Sequence, residues 1–319
     1  MYDKARLGVE VVNASPADGG WTLTFGNGQI AQYRWLICAN GATWDAAVPD
    51  LPGDFNGIIR HSREYNSGDE FAGKRVLIVG AGNSGADIAC DAAQRADYAG
   101  ISMRRGYWLI PKHIEGVPSD VYGTNQPKIP LWLKQKILRK RLLKQIGDPT
   151  RLGLPMPDHE LFETHPLLND QILHYLRHGD LKVYKDIERL NGDEVIFKGG
   201  VRERFDEIIL ATGYTWSAPF LPEEVNPFSA GRVELPLSMF PQDRDDLFFI
   251  SFVKAAGSSI TLFGEMAWII ARALKADGAE KDKFRAKIAK NDFNLRKGLK
   301  LISTERNKAY INRDAYMAA

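Results

Sequence analysis

The sequence predicts an α/β fold in which one parallel-sheet unit is inserted into a second, incomplete one. Two observations carry this. A segment design occurs twice: Phe25, Gly28, Leu36, Ala39 and Gly41 stand in one stretch, and Phe197, Gly200, Ile208, Ala211 and Gly213 stand at the same spacing in another. Each reads as two strands joined by a glycine turn, then an apolar strand ending in an Ala-x-Gly tip. Asn27-Gly28 and Gly199-Gly200 suit the positive φ of a two-residue hairpin turn. Only the second copy has a glycine-rich loop upstream, in VLIVGAGNSGADIA from Val76 to Ala89. A segment of this design closes a nucleotide-binding unit that such a loop opens. The predicted class is therefore a two-dinucleotide-binding flavoprotein fold, with a Rossmann-like NADP domain inserted in an incomplete FAD domain.

The elements follow in order. Leu7 to Val12 reads as a short apolar strand ahead of the first hairpin and its tip, Ala39-Asn40-Gly41. Pro49, Pro52 and Gly53 mark a loop leaving the first unit. Phe71 to Gly106 carries strand, glycine loop, helix and second strand. Pro111 to Pro157 is irregular and proline-rich, interrupted by one basic helix, and Leu161 to Gly179 looks helical. Leu181 to Gly213 is the second hairpin with its closing strand. DDLFFISFV is a final strand, Ile260 to Ala276 a final helix, and the charged remainder a helical tail. The expected partition is 1–69 for the partial FAD domain, 70–212 for the NADP domain and 213–319 for the returning FAD-domain segment and C-terminal helices.

Bulk composition excludes several classes. Hydrophobic residues make up 44% and charged residues 26% of 319, enough for a packed core in each of two domains. A formal net charge of +2 gives no general reason to expect nucleic acid as a partner. The two cysteines, Cys38 and Cys90, lie in apolar runs and read as buried residues of a reducing compartment. The N-terminal stretch has no apolar leader and no run is long enough to span a bilayer, so a cytoplasmic location is expected. The histidines have no metal-ligand spacing, and no metal is expected.

The loop itself is the strongest site signal. Gly80-Ala81-Gly82-Asn83-Ser84-Gly85 satisfies G-x-G-x-x-G between an apolar strand and a helix. The first glycine permits the turn, the second admits the pyrophosphate, and the third lets helix and strand pack closely. The helix N-terminus directs free N–H groups and a positive dipole end at phosphates. An NAD site places an acid about 20 residues on, to hold the ribose 2′-hydroxyl. Here GISMRRG supplies Ser102, Arg104 and Arg105 instead, and guanidinium groups favour a 2′-phosphate. NADPH is the expected cofactor. Thr212 and Gly213 at the second tip, with Ala39, Asn40 and Gly41 at the first, complete the candidate cofactor residues.

Several of these segments together resemble the flavin-containing monooxygenase family of class B flavoproteins. FNGIIRHSREY, Phe55 to Tyr65, resembles that family's F-x-G-x-x-x-H-x-x-x-Y stretch. VGAGNSGADIA is similar to its nicotinamide fingerprint and ISMRRGYW to its 2′-phosphate strand, with Arg104 at the family's arginine. HELFETHPLLND and ILATGYTWSAPFL resemble the run back to the flavin domain. Asn66 and Asn40 depart from the family's usual residues. The resemblance implies an NADPH- and FAD-dependent monooxygenase, N,N-dimethylaniline monooxygenase-like, that oxygenates soft nitrogen or sulfur nucleophiles through a C4a-hydroperoxyflavin. It also implies a flavin fingerprint lying before Met1, so the chain is expected to be N-terminally truncated and no catalytic residue is named. Two alternatives stay open. One is a Baeyer–Villiger monooxygenase, against which Tyr65 counts because that branch usually has tryptophan there; the other is a non-catalytic NADP-binding relic.

Other signals are given plainer readings. His61 is assigned a structural role, and Asp87 and Asp91 are read as capping or solvated. The helix IPLWLKQKILRKRLLKQIG would suit an anionic membrane surface, but such a helix more often covers a domain with its apolar side, and that reading is preferred. Trp268 is expected to pack the final helix on the flavin domain. The partners expected are a small nucleophilic substrate and oxygen, without nucleic acid, and the chain is a candidate homo-oligomer.

Overall fold

The computed structural model of the chain describes residues 4–124, 130–229, 235–255, 259–304, 307 and 310–318. Its contacts divide the chain into two units. One comprises Met1–Asp45, Tyr214–Leu299 and Thr304–Ala319; the other comprises Ala46–Gly213 with Lys300–Ser303. The inserted unit thus begins at Ala46, not at residue 70, because residues 46–69 carry two strands of its sheets. Its second boundary falls after Gly213, one residue from the expected place.

The first unit opens with three antiparallel strands, β1 (Val11–Ala17), β2 (Gly20–Phe25) and β3 (Ile30–Tyr33). The strand expected over Leu7–Val12 is displaced to Val11–Ala17, and Leu7 is exposed, so it packs on nothing that would hold it extended. Phe25 N–H donates to the Gln29 carbonyl and Gly28 N–H to the Phe25 carbonyl, each at 2.9 Å. The turn is therefore a three-residue loop with Gly28 at φ 81°, longer than the two-residue hairpin expected. The chain then enters β4 (Leu36–Cys38).

The second unit is built on a five-stranded sheet. In chain order its elements are β5 (Gly53–Phe55), β6 (Ile58–His61), β7 (Arg75–Val79), α1 (Asn83–Arg95), β8 (Tyr98–Ser102), α2 (Leu131–Ile146), α3 (Gln171–His178), β9 (Leu181–Tyr184), β10 (Ile187–Gly192), β11 (Glu194–Phe197), β12 (Arg202–Arg204) and β13 (Glu207–Leu210). The main sheet runs β9-β8-β7-β13-β6, parallel throughout. Its inner strands β8, β7 and β13 are largely apolar on both faces because both faces are covered, whereas Ile58 and Ile59 of edge strand β6 are exposed. Val76, Ile78, Ala99, Ile101 and Ile209 join a core with Ala86, Ala89 and Ala92 of α1 and Ile172 and Leu173 of α3. Leu77, Val79, Ile208 and Leu210 face the other way, into Ile187, Val195, Phe197 and Phe205. That opposite cover is a second sheet, β12-β11-β10-β5, with β5 parallel to β10. Gly53 therefore lies in an edge strand, not a loop. A Cβ there would stand 2.1 Å from the Leu190 carbonyl oxygen, which is why glycine occupies it.

The hairpin between β11 and β12 repeats the first unit's geometry. Phe197 N–H donates to the Val201 carbonyl and Gly200 N–H to the Phe197 carbonyl, again at 2.9 Å, with Gly200 at φ 82°. The repeat seen in sequence is thus a repeat in backbone hydrogen bonding. The helix expected over Leu161–Gly179 is limited to Gln171–His178. Pro166 disfavours helix before it, Leu109 and Leu167 form a parallel bridge, and Asn169 Oδ1 accepts the Ile172 N–H at 2.9 Å to start α3 where it does.

On its return to the first unit the chain forms β14 (Leu247–Phe249), parallel to β4, then α4 (Ser259–Lys275) and α5 (Gly278–Lys290). Cys38, Trp21, Phe25, Leu247, Phe249 and Phe252 form one core. Leu262, Met266 and Ile270 of α4 form another with Met239, Phe240 and Phe248. Trp268 is 57% exposed, so the helix packs through Ile270 and not through the tryptophan. Its ring instead lies under Arg272, 5.1 Å from the guanidinium carbon.

Candidate functional site

The loop from Gly80 to Gly85 leaves β7 at the carboxyl end of the parallel sheet and enters α1. The three glycines are there for three different reasons. Gly80 has φ 104°, and a Cβ would stand 2.6 Å from the Ala211 carbonyl oxygen. At Gly85 a Cβ would stand 2.0 Å from the Gly80 carbonyl oxygen, so only glycine lets the helix come this close to the loop. Gly82 differs. Its backbone is extended, at φ −79° and ψ −178°, and nothing lies within 4 Å of a Cβ there. The protein itself does not need glycine at this position; the open space beside it is where a phosphate would approach. Gly82 is also the N-cap of α1 and no side chain caps the helix, which leaves its first N–H groups for a ligand.

The neighbouring residues hold this loop. Asn83 Oδ1 accepts the Leu168 N–H at 3.0 Å, so the Asn83 side chain anchors the helix start. Ser84 is exposed. Asp87 accepts from Asn169 Nδ2 at 2.7 Å and from Lys112 Nζ at 3.0 Å. Asn169, 1% exposed, was not among the residues the sequence pointed to, although it stands in the HPLLND run. Its amide ties α1 to the start of α3. Asp91 accepts the Tyr65 hydroxyl at 2.7 Å. Burial and that carboxylate push the Tyr65 hydroxyl well above its ordinary value.

Beyond β8, the three residues expected to meet a 2′-phosphate separate. Ser102 is 2% exposed and its hydroxyl donates to the Lys185 carbonyl at 2.8 Å, so its proton is committed to the sheet. Arg104 is exposed and makes no ion pair with another described residue. Arg105 is half-buried, with Nη2 3.9 Å from Asp158 Oδ2.

The second tip closes the site from the β13 side. Ala211 N–H donates to the Val79 carbonyl at 2.8 Å, and Thr212 Oγ1 donates to the Ala47 carbonyl at 2.5 Å. Gly213, at φ 89°, offers its carbonyl to both Ala47 N–H and His61 Nε2, each at 2.9 Å. His61 Nδ1 accepts the Arg63 N–H at 3.2 Å, which fixes the ring as the neutral Nε2–H tautomer. Burial, more than the opposing Gly213 bond, holds the His61 pKa below its ordinary value, with Arg63 adding to the depression and Glu64 opposing it. Beneath this tip, Glu207 is 1% exposed and lies 2.5 Å from Arg60 Nε and 2.7 Å from Lys74 Nζ. That trio, built on one buried carboxylate, ties β6 to β13, and a charged residue inside an otherwise apolar strand is its only sequence signal.

In the first unit, Ala39 and Asn40 are exposed at the end of β4 and Gly41 has φ 80°. Asn40 Nδ2 donates to the Ser217 carbonyl at 3.0 Å, so its side chain braces the tip. Among the described residues, the Gly80–Gly85 turn is the only glycine-rich loop joining a parallel strand to a helix. Cys38 and Cys90 are both buried and free, and burial pushes each thiol up to about 12. Among the described residues no helix is long and apolar enough to cross a membrane.

Comparison with known proteins gives this arrangement a context. A family model described as FMO-like, flavin-binding monooxygenase-like, matches residues 35–312. The chain is 29% identical over 265 residues to indole-3-pyruvate monooxygenase YUCCA1 of Oryza sativa subsp. japonica, covering 78% of this chain and 64% of that protein. It is 31% identical over 256 residues to human flavin-containing monooxygenase 5, covering 75% of this chain and 48% of that protein. The chain thus spans about half to just under two-thirds of the length of these relatives. In fold it is similar to cyclohexanone monooxygenase from Rhodococcus sp. Phi1 bound to NADP+, with a TM-score of 0.65 at 15% identity over 98% of this chain and 78% of that one.

Proposed function

The chain belongs to the flavin-binding monooxygenase-like family, and from that premise we propose that it serves an NADPH- and FAD-dependent monooxygenation of a soft nitrogen or sulfur nucleophile. The observation that carries the nicotinamide part is an open Gly82 together with an exposed Arg104 beyond the adjacent strand that makes no ion pair with another described residue. The glycine leaves room for a pyrophosphate at the uncapped start of α1, and Arg104 offers a charged fork where an NAD site has a carboxylate. Thr212 and Gly213 line the loop's far side, held by Ala47 and His61. For the flavin, the described residues supply the Ala39–Gly41 tip but no second phosphate loop, so no step is assigned to residues of this chain through it. When bound, FAD supplies the redox and oxygen-transfer chemistry that side chains lack. This chain's residues bind and orient the reductant.

The Baeyer–Villiger reading is not preferred, since Tyr65 stands where that branch usually has tryptophan and its hydroxyl is spent on Asp91. Two buried thiols and no disulfide among the described residues support a reducing, cytoplasmic setting. The test is a calorimetric titration of NADPH and NADH into wild type and Arg104→Ala. Loss of one charge-assisted contact to the 2′-phosphate is expected to weaken NADPH by about 2 kcal/mol, roughly 30-fold, and to leave NADH unchanged. Equal affinities of wild type for the two cofactors would refute the assignment. NADPH binding that never supports oxygenation when FAD is supplied would favour the non-catalytic alternative.

A further inference from the structure

The two arginines beyond β8 are neighbours in sequence but not equivalents. Arg104 is exposed and makes no ion pair with another described residue, whereas Arg105 faces Asp158 at 3.9 Å. The Asp158 carboxylate is held from behind. Its Oδ1 lies 2.9 Å from His159 Nδ1, and the His159 ring is 1% exposed and edge-on to Tyr107. The two backbone segments are also locked together. Trp108 Nε1 donates to the His159 carbonyl at 2.9 Å, and at Gly106 a Cβ would stand 2.2 Å from the Pro155 carbonyl oxygen. A fixed negative charge therefore stands beside one of the two cations that the proposed 2′-phosphate would use.

We propose that Asp158 sets how strongly the site discriminates a 2′-phosphorylated dinucleotide from an unphosphorylated one, by competing with the phosphate for Arg105. The inference rests on the NADPH reading above and deepens it. A phosphate reaching Arg105 must share or displace the carboxylate and bears its repulsion, since both are anions on one guanidinium. A 2′-hydroxyl is neutral and is indifferent to Asp158. Arg104 then supplies the uncontested contact, and the Arg105–Asp158 pair tunes the total. The hydrogen bond from His159 and the charge of Arg105 both keep the Asp158 carboxyl below its usual range, so it is ionised at neutral pH.

The experiment uses Asp158→Asn, Arg105→Gln and the double variant of the whole chain, titrated with NADP+ and NAD+ at low ionic strength. Asparagine keeps an acceptor for His159 and is tolerated at a carboxylate that is 58% exposed. Asp158→Asn is expected to tighten NADP+ roughly three- to fivefold, the scale of exposed charge pairs, and to leave NAD+ within about twofold. Most of that gain should vanish when Arg105→Gln is added. No change for NADP+, or an equal change for both dinucleotides, would overturn the role of Asp158. A wild type that fails to prefer NADP+ would remove the NADPH reading and this inference together. A selective wild type with a silent Asp158→Asn would remove the inference alone.

Discussion

Valine at position 82 should abolish dinucleotide binding in a protein that remains folded. The backbone there is extended and no atom lies within 4 Å of a Cβ, so the side chain meets solvent in the unliganded protein. Replacing a glycine N-cap with an apolar residue costs up to about 1 kcal/mol, and the reduced freedom of the unfolded chain returns about 0.4–1 kcal/mol. The net change in stability should lie within about 1 kcal/mol. Binding is another matter, because the valine methyls fill the space through which a pyrophosphate reaches the first N–H groups of α1. Losing one such charge-assisted bond costs about 2–3 kcal/mol, roughly 30- to 150-fold in affinity. Gly85→Ala is the contrast: its Cβ would stand 2.0 Å from the Gly80 carbonyl oxygen, and relieving that overlap should cost at least about 1–3 kcal/mol of stability. Urea unfolding of both variants, with calorimetric titration of NADP+, separates the two roles. A folded Gly82→Val that binds NADP+ at wild-type affinity would show that the loop is a structural turn. A Gly85→Ala as stable as wild type would refute the packing argument.

Three further outcomes are expected. Glu207→Ala removes the buried carboxylate from Arg60 and Lys74, but Arg60 keeps Glu70 at 2.6 Å and Lys74 is partly exposed, so the cost in chemical denaturation should be about 1–3 kcal/mol; a loss under about 0.5 kcal/mol would mean that the trio is incidental. The depressed pKa of His61 makes the unfolded chain bind the proton first, so stability present above about pH 6.5 should fall as pH drops from there through the lower folded value. His61→Gln keeps a donor for Gly213 but does not titrate, and its unfolding free energy should lose that part of the acid slope. The 319-residue chain, saturated with FAD and passed through gel filtration, should emerge without it, because only the Ala39–Gly41 tip answers to a flavin site among the described residues. A stoichiometric yellow complex would contradict this.

Local patterns in the sequence specify the structure where local chemistry decides it. The glycine loop, the start of α1 at Asn83 and the two hairpins depend on residues a few positions apart, and these stand where expected. The hairpin loops proved one residue longer, since Gly28 and Gly200 close a three-residue turn that the Asn-Gly and Gly-Gly pairs do not distinguish from a shorter one. Failures came where distant partners decide. Sequence pattern places Phe55–His61 in the first unit, but Ile58–His61 pairs with Glu207–Leu210 and Gly53–Phe55 with β10, contacts that span well over a hundred positions. The donation of the Ser102 hydroxyl to the Lys185 carbonyl is likewise a contact that no local pattern announces. Asp158 was invisible for the same reason: its importance comes from Arg105 and His159, and only folding makes the first of these a neighbour.

The shared Gly213 carbonyl has a consequence for the order in which the chain folds. Among the described residues β4 pairs with β14, and Leu36 and Leu247 are more than 200 positions apart. Closing so long a loop is entropically costly while the intervening chain is unstructured. The Ala47 N–H bond to the Gly213 carbonyl, at 2.9 Å, brings the two ends of the inserted unit together. Once that unit has folded, the residues flanking it behave as though the insert were absent. The effective loop shrinks about fivefold, worth about 1.4 kcal/mol of closure entropy. During synthesis the Ala46–Gly213 part of the inserted unit also leaves the ribosome after β4 and before β14. Folding of Ala46–Gly213 thus shortens the loop that β4 and β14 must close. A lesion that slows its folding should appear first as failure of β4 and β14 to pair.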